Sequence, residues 1–206
     1  MNLPRPLIPL VTRVAYWDHR ISTWRERARL LLLQRELGDR LAMGPGSRVE
    51  PGVIWRMGDA GRVTVGPDGV VRTGAELKVD GRLAIGARAL IGAWCTLSVL
   101  DELVIGDDCL LAERVSIRDH DHRFGDPDRP VAEQGYEVAP VRLGRNVWIG
   151  AGVTVLRGVT LGESCVVGAN AVVTRSFPAG SVIAGVPARL IAERSPEREE
   201  GYACPD

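Results

Sequence analysis

The chain has almost no lysine: Lys78 stands alone, and arginine supplies every other basic side chain. Histidine is nearly as scarce, with three residues, and two of them, His120 and His122, lie two positions apart. The 26 basic and 26 acidic residues cancel, so no overall charge recruits nucleic acid or an anionic membrane. The longest purely aliphatic run is Leu30–Leu33, too short for a membrane span. The opening stretch MNLPRPLIPL is interrupted by prolines and has no signal-like apolar core, so the expected location is the cytoplasm. Four cysteines (Cys95, Cys109, Cys165, Cys204) lack the spacing of a CxxC pair or a zinc ribbon.

What the chain does have is a rhythm of six. From Leu143 it reads LGRNVW, IGAGVT, VLRGVT, LGESCV, VGANAV, VTRSFP. Each unit opens on Leu, Ile or Val, and in all but the last a small or branched residue stands fifth. Such a period fits neither an amphipathic helix nor a simple alternating strand. It predicts short strands joined by tight bends, one apolar anchor per strand pointing inward, three strands to a coil. Starts at Pro45, Val65, Ile85 and Ile105 are twenty apart, whereas Leu143 and Leu161 are eighteen apart. Two extra residues after every third unit (63–64, 83–84, 103–104) predict one longer corner in the early coils. A surplus of twenty residues leaves that same corner between Ile105 and Leu143, with the histidines at its root. Cys95, Cys109 and Cys165 all stand fifth in their units, where Val147, Val153 and Val159 also stand, so buried and inert thiols are expected.

The expected organisation is an N-terminal helical cap over 1–44, a β-helix over 45–190 with a loop inserted at 119–142, and a polar tail over 191–206. Residues 11–41 read as helix because Trp17, Ile21, Trp24, Ala28 and Leu31 recur at three- and four-residue steps, and Gly38 or Gly44 ends it. Seven arginines against four acids make that segment locally basic, which leaves weak membrane-surface contact as an alternative to capping. Extended alternation over 119–122 puts both histidines on one face and Asp119 and Asp121 on the other. Stacking Leu97 under Ile117 then puts Asp101 under Asp121 and Glu102 under His122, where either acid orients the histidine, grips an acceptor hydroxyl, or is merely solvated. Alternating Asp and His in DHDH also suits a divalent ion, but His19 is the only other imidazole, so no metal site is expected.

The hexapeptide rhythm resembles the hexapeptide-repeat acyltransferase family over roughly residues 45–190. The resemblance implies an all-β fold, a left-handed parallel β-helix, although parallel crossovers elsewhere are nearly always right-handed. It also implies transfer of an acetyl group from acetyl-CoA to a hydroxyl or amine, with the donor lying in a groove between subunits of a homotrimer. VSIRDHDHRF is similar to the family's catalytic stretch; counting five from the anchor Ile117 selects His122 as general base, with His120 as rival. An oxyanion donor shortly after NVWIG falls at the amide of Ala151. GANAVVTR, matched to the family's GAGSVVTK, puts Ala169, Thr174 and Arg175 at cofactor contacts. Arg189, in IAGVPARLI, is a second phosphate candidate, and Trp148 lines the channel.

Sugar acetyltransferases of the family carry an asparagine in the preceding coil; the place here is near Gly92. Acceptor recognition is therefore expected from the long loop, through Arg123, Phe124 and Tyr136. DHxHRF is closer to polysaccharide-modifying O-acetyltransferases, so a carbohydrate acceptor is expected. A non-catalytic scaffold and an N-acetyltransferase acting on an amino sugar remain alternatives, and acyl length stays open.

Overall fold

A computed structural model of the chain describes residues 28–194. Three parallel sheets run the length of the repeat, and each coil gives one strand to each. The first stacks Leu41–Met43, Arg62–Val65, Arg82–Ile85, Glu102–Ile105, Val141–Leu143 and Thr160–Leu161. The third stacks Ile54–Met57, Glu76–Val79, Thr96–Val99, Ser116–Arg118, Thr154–Val155 and Val172–Val173. Between them in chain order lies an eight-stranded sheet that includes Leu110–Leu111, Trp148–Ile149 and Val166–Val167. From Val65 onward anchors stack in the register the spacing predicts, Val65 on Ile85, Ile85 on Ile105, Ile105 on Leu143, Leu143 on Leu161, but the first start is Met43, which stacks on Val65, and not Pro45.

Alternation makes the core. Leu77, Leu97, Ile117 and Val155 point inward on successive rungs and are fully buried, each contributing roughly 1.5–3 kcal/mol of burial. The glycine second in many units permits close stacking: a Cβ on Gly144 would lie 2.7 Å from the Glu163 nitrogen on the next coil. Bends use left-handed backbone, and Asp68, Asp108, Asn146 and Asn170 occupy it at φ between 56° and 59°. Asp and Asn tolerate that conformation better than most side chains.

The extra two residues in the twenty-residue coils do not lengthen a corner. They lengthen strands: Arg62–Val65, Arg82–Ile85 and Glu102–Ile105 are four residues long, as are Glu76–Val79 and Thr96–Val99. Val63, Leu83, Leu103, Val79 and Val99 are all buried, because four-residue strands present two inward positions rather than one. Salt ladders stitch the outer surface across coils, with Arg56 on Glu76 at 2.6 Å and Arg88 on Asp108 at 2.6 Å.

The described residues fall into two units, divided between Gly38 and Asp39. In the first, helix covers 28–37 and Gly38 ends it at φ +54°, the left-handed terminus that glycine favours. Trp17, Ile21 and Trp24 lie outside the described residues, as does most of the polar tail; Leu31, expected on the apolar face, is 67% exposed. Strand structure begins earlier than the expected boundary at 45, because Leu41–Met43 already pairs with Val63–Val65. It also runs past 190: Arg189–Glu193 folds back antiparallel on Ser181–Ala184. No described helix is long and apolar enough to cross a membrane.

Candidate active site

The segment that interrupts the repeat is a hairpin. After Arg118 the chain leaves the third sheet, and His120–His122 pairs antiparallel with Tyr136–Val138. Asp119 makes the departure possible. Only 1% exposed, it carries a carboxylate into the fold, where it accepts from the Leu100 amide at 2.9 Å and the Asp101 amide at 2.7 Å. These donors offset the cost of burying a charge. They also tie the hairpin root to the turn of the preceding coil.

Asp119 Oδ1 lies 2.8 Å from His120 Nδ1. An ionised carboxylate only accepts, so Nδ1 carries the proton, and in the neutral imidazole Nε2 then presents a lone pair. His120 is mostly buried, and Tyr136 meets it edge-on at 5.4 Å. His122 is exposed and lies against the same tyrosine ring at 4.4 Å. Below them Arg157 reaches across from the next coil to Asp121 at 3.3 Å and also pairs with Glu137. Asp121 and Glu137 are cross-strand partners. Like charges directly opposite destabilise a strand pair, and the guanidinium between them reverses that.

The hairpin walls a cavity of about 250 Å³ whose floor is the outer face of the third sheet. Thr96, Ser98 and Ser116 line the floor; Lys78 and Arg118 flank them; His120, His122 and Tyr136 form the wall.

Several expected positions fall elsewhere. Glu102 is not under His122. It stacks on Arg82 in the first sheet and pairs with Arg82 at 2.8 Å and with Arg142, because the hairpin leaves the stack before position 122. Asp101 is exposed and meets the site only through its backbone amide, which bonds Asp119 rather than a histidine. Of the three loop residues, Tyr136 is the one whose ring packs on the histidines. Arg123 is exposed and its amide bonds Gly135 O at 3.0 Å; Phe124 is 78% exposed. Gly92 has room for no side chain, since a Cβ would stand 2.3 Å from Ala112 O.

Asp119 and Arg157 were missed. DHDH drew attention to its histidines, and alternation put Asp119 with Asp121 on the face away from them. Its burial depends on the turn at 100–101, which no spacing encodes. Arg157 reads in sequence as an ordinary residue of VLRGVT.

Two of the donor-side candidates, Ala151 and Ala169, share a different corner, between the second and third sheets, whereas Thr174 and Arg175 follow the third-sheet strand Val172–Val173. Asn170 N donates to Ala151 O at 2.8 Å, which stacks the Ala151 and Ala169 turns on consecutive coils. Neither alanine's own N–H meets an acceptor among the described residues. One such corner amide does bind a carboxylate, Thr73 N donating to Glu50 Oε2 at 3.0 Å, so these N–H groups suit an oxyanion. Trp148 stands on the preceding strand with 53% exposure. Thr174 and Arg175 are exposed, and Arg175 lies 5.2 Å over the Phe177 ring. Arg189 is exposed, with Nη1 on Ala188 O at 3.0 Å.

Comparison with known proteins agrees with this architecture. Residues 140–175 match the model described as bacterial transferase hexapeptide (six repeats). A protein of Escherichia coli (strain K12) named as an O-acetyl transferase of lipopolysaccharide biosynthesis is 39% identical over 108 residues, 49% of this chain and 55% of its own. Nodulation protein L of Rhizobium meliloti (strain 1021) is 39% identical over 128 residues, 61% of this chain and 68% of its own. The crystal structure of a galactoside acetyltransferase in complex with coenzyme A is 25% identical, with a TM-score of 0.55 over 78% of this chain and 68% of that one. Three curated relatives are matched over 38–55% of their own length, about half or less. With the repeat, the stacked coils and these likenesses together, the chain belongs to the hexapeptide-repeat acyltransferase family.

Proposed function

We propose that the protein is a homotrimeric O-acetyltransferase of the cytoplasm, moving an acetyl group from acetyl-CoA to a hydroxyl of a sugar or polysaccharide. The observation that carries this reading is the buried Asp119 carboxylate holding His120 Nδ1–H, which leaves Nε2 free at the wall of a hydroxyl-lined cavity. The likenesses to a lipopolysaccharide O-acetyl transferase and to a galactoside acetyltransferase bound to coenzyme A support it.

Acetyl-CoA supplies an activated carbonyl on a sulfur leaving group. His120 Nε2 takes the proton of the acceptor hydroxyl as its oxygen attacks that carbonyl, typically a 10²–10⁴-fold contribution. The Ala151 N–H donates to the oxygen on which charge develops. As the carbon–sulfur bond breaks, the imidazolium returns its proton to the departing sulfur, leaving an ester and a free thiol. Trp148, Ala169, Thr174, Arg175 and Arg189 are assigned to the coenzyme, the arginines to its phosphates. The Asp119 contact, made to His120 and not to His122, supports His120 as the base in this reading.

Assembly in this reading brings the two halves together. In the histidine's own coil the counterpart of Ala151 is Glu113, whose carbonyl accepts from Gly152 N at 3.0 Å. The strand Ser116–Arg118 separates that corner from His120. A base and an oxyanion donor must both lie within hydrogen-bond reach of one carbonyl, which supports an amide supplied by a neighbouring subunit.

Incubating the protein with acetyl-CoA and a panel of saccharides, with free thiol and the product as readouts, tests the proposal. Acceptor-dependent thiol release and an alkali-labile ester are expected. An alkali-stable amide formed with amino sugars would replace O-transfer by N-transfer. Absence of acceptor-dependent release would leave a β-helix scaffold without catalysis.

A further inference from the structure

The chain's single lysine stands in this cavity. On the outer face of the third sheet, register places Arg56, Lys78, Ser98 and Arg118 in one line across four coils. In two other columns a carboxylate follows the arginine on the next coil, Glu102 beside Arg82 and Asp108 beside Arg88. Here a serine separates two cations. Among the described residues the Arg118 guanidinium donates only to Ser116 Oγ, at 3.3 Å, and no carboxylate pairs with it. Lys78 shares Glu76 at 3.6 Å, but Glu76 is held by Arg56 at 2.6 Å, the contact that chiefly draws its carboxyl below the ordinary range. The acid lining the cavity, Asp121, is engaged by Arg157 at 3.3 Å.

Two under-neutralised cations thus stand two coils apart, about 10 Å. Between them lie the hydroxyls of Thr96, Ser98 and Ser116, and the wall carries His120. Neighbouring cations held this way repel each other, and a ligand oxyanion between them relieves that repulsion while Arg118 offers a fork of donors. The hydroxyl floor suits the rest of a sugar ring.

We propose that the acceptor is an acidic saccharide. Its carboxylate or phosphate sits between Lys78 and Arg118 over Ser98, which turns one of its hydroxyls toward His120. This rests on the acyl-transfer reading for its consequence but not for its measurement, because binding is read without acetyl-CoA.

The experiment is a titration of the full-length protein with glucuronate, its uncharged methyl ester, glucose 1-phosphate and glucose, at low and moderate salt. Either acid is expected to bind at least about tenfold tighter than both neutral sugars, more weakly as salt rises. Whichever of glucuronate or glucose 1-phosphate binds tighter identifies the oxyanion. Lys78→Gln and Arg118→Gln each lose about tenfold, whereas Lys78→Arg keeps binding; both sites are exposed, and melting curves check the fold. Equal binding of charged and neutral sugars, or unchanged binding in both Gln variants, overturns the proposal. In the transfer assay the Gln variants raise KM for the acceptor. A rise in KM for acetyl-CoA instead assigns the cations to the coenzyme's phosphates and also overturns it. Selective binding without any transfer sinks the acyl-transfer reading and leaves the anion site standing.

Discussion

The Asp119 carboxylate bonds His120 Nδ1 at 2.8 Å and, on the same side chain, accepts from the Asp101 amide at 2.7 Å. One buried group therefore orients the imidazole and fastens the hairpin root to the coil beneath.

Asp119→Asn keeps the shape and removes the acceptor-only character. An amide can turn its NH₂ toward Nδ1, which favours the wrong tautomer, so kcat should fall by roughly 10²–10⁴. KM for acetyl-CoA should stay unchanged. Imidazole ¹⁵N shifts supply the signature that a purely structural role would not move: one tautomer of His120 in the wild type, a mixture in the variant.

Arg157 holds Asp121 and Glu137 together, and both acids belong to the hairpin. Arg157→Gln leaves two carboxylates opposed. Amide exchange over 120–138 should quicken while exchange in Leu97 and Ile117 stays slow, and KM for the acceptor should rise severalfold. Unchanged exchange in the hairpin would show that the strand pairing needs no bridge.

Burial pushes the Cys95 and Cys109 thiols up to about 11 from an ordinary 9.0, and raises Cys165 as well. Each Sγ donates to a carbonyl, at 3.1 Å for Ala112 and Gly144 and 3.0 Å for Pro178. The unfolded chain ionises these thiols first. Their contribution to stability is therefore complete below pH 9 and is lost as pH rises from about 9 toward 11. Urea midpoints should fall across that window, and the double substitution Cys95→Val, Cys109→Val should flatten the fall. Identical slopes in both proteins would contradict the assignment.

The coils were legible because an inward anchor must recur at a fixed interval; Val65, Ile85 and Ile105 carry that interval in plain view. Strand length was less legible, since Leu83 and Leu103 look like corner residues until alternation buries both. The hand of the β-helix came from family resemblance alone, against the general preference for right-handed crossovers. Within the site, His120 and Tyr136 were named from sequence, but the partner that distinguishes His120 from His122 was not. A hairpin breaks the repeat's register, so stacking arguments that hold at Arg118 fail at Asp119. Glu102 was misplaced for the same reason.

The most direct test compares His120→Ala with His122→Ala in the acetyl-CoA transfer assay, using the acceptor that supports the fastest thiol release. Loss of roughly 10²–10⁴ in kcat for the first, and a change mainly in KM for the second, is the predicted result. Near-normal kcat in His120→Ala, with the loss appearing in His122→Ala, would contradict the account.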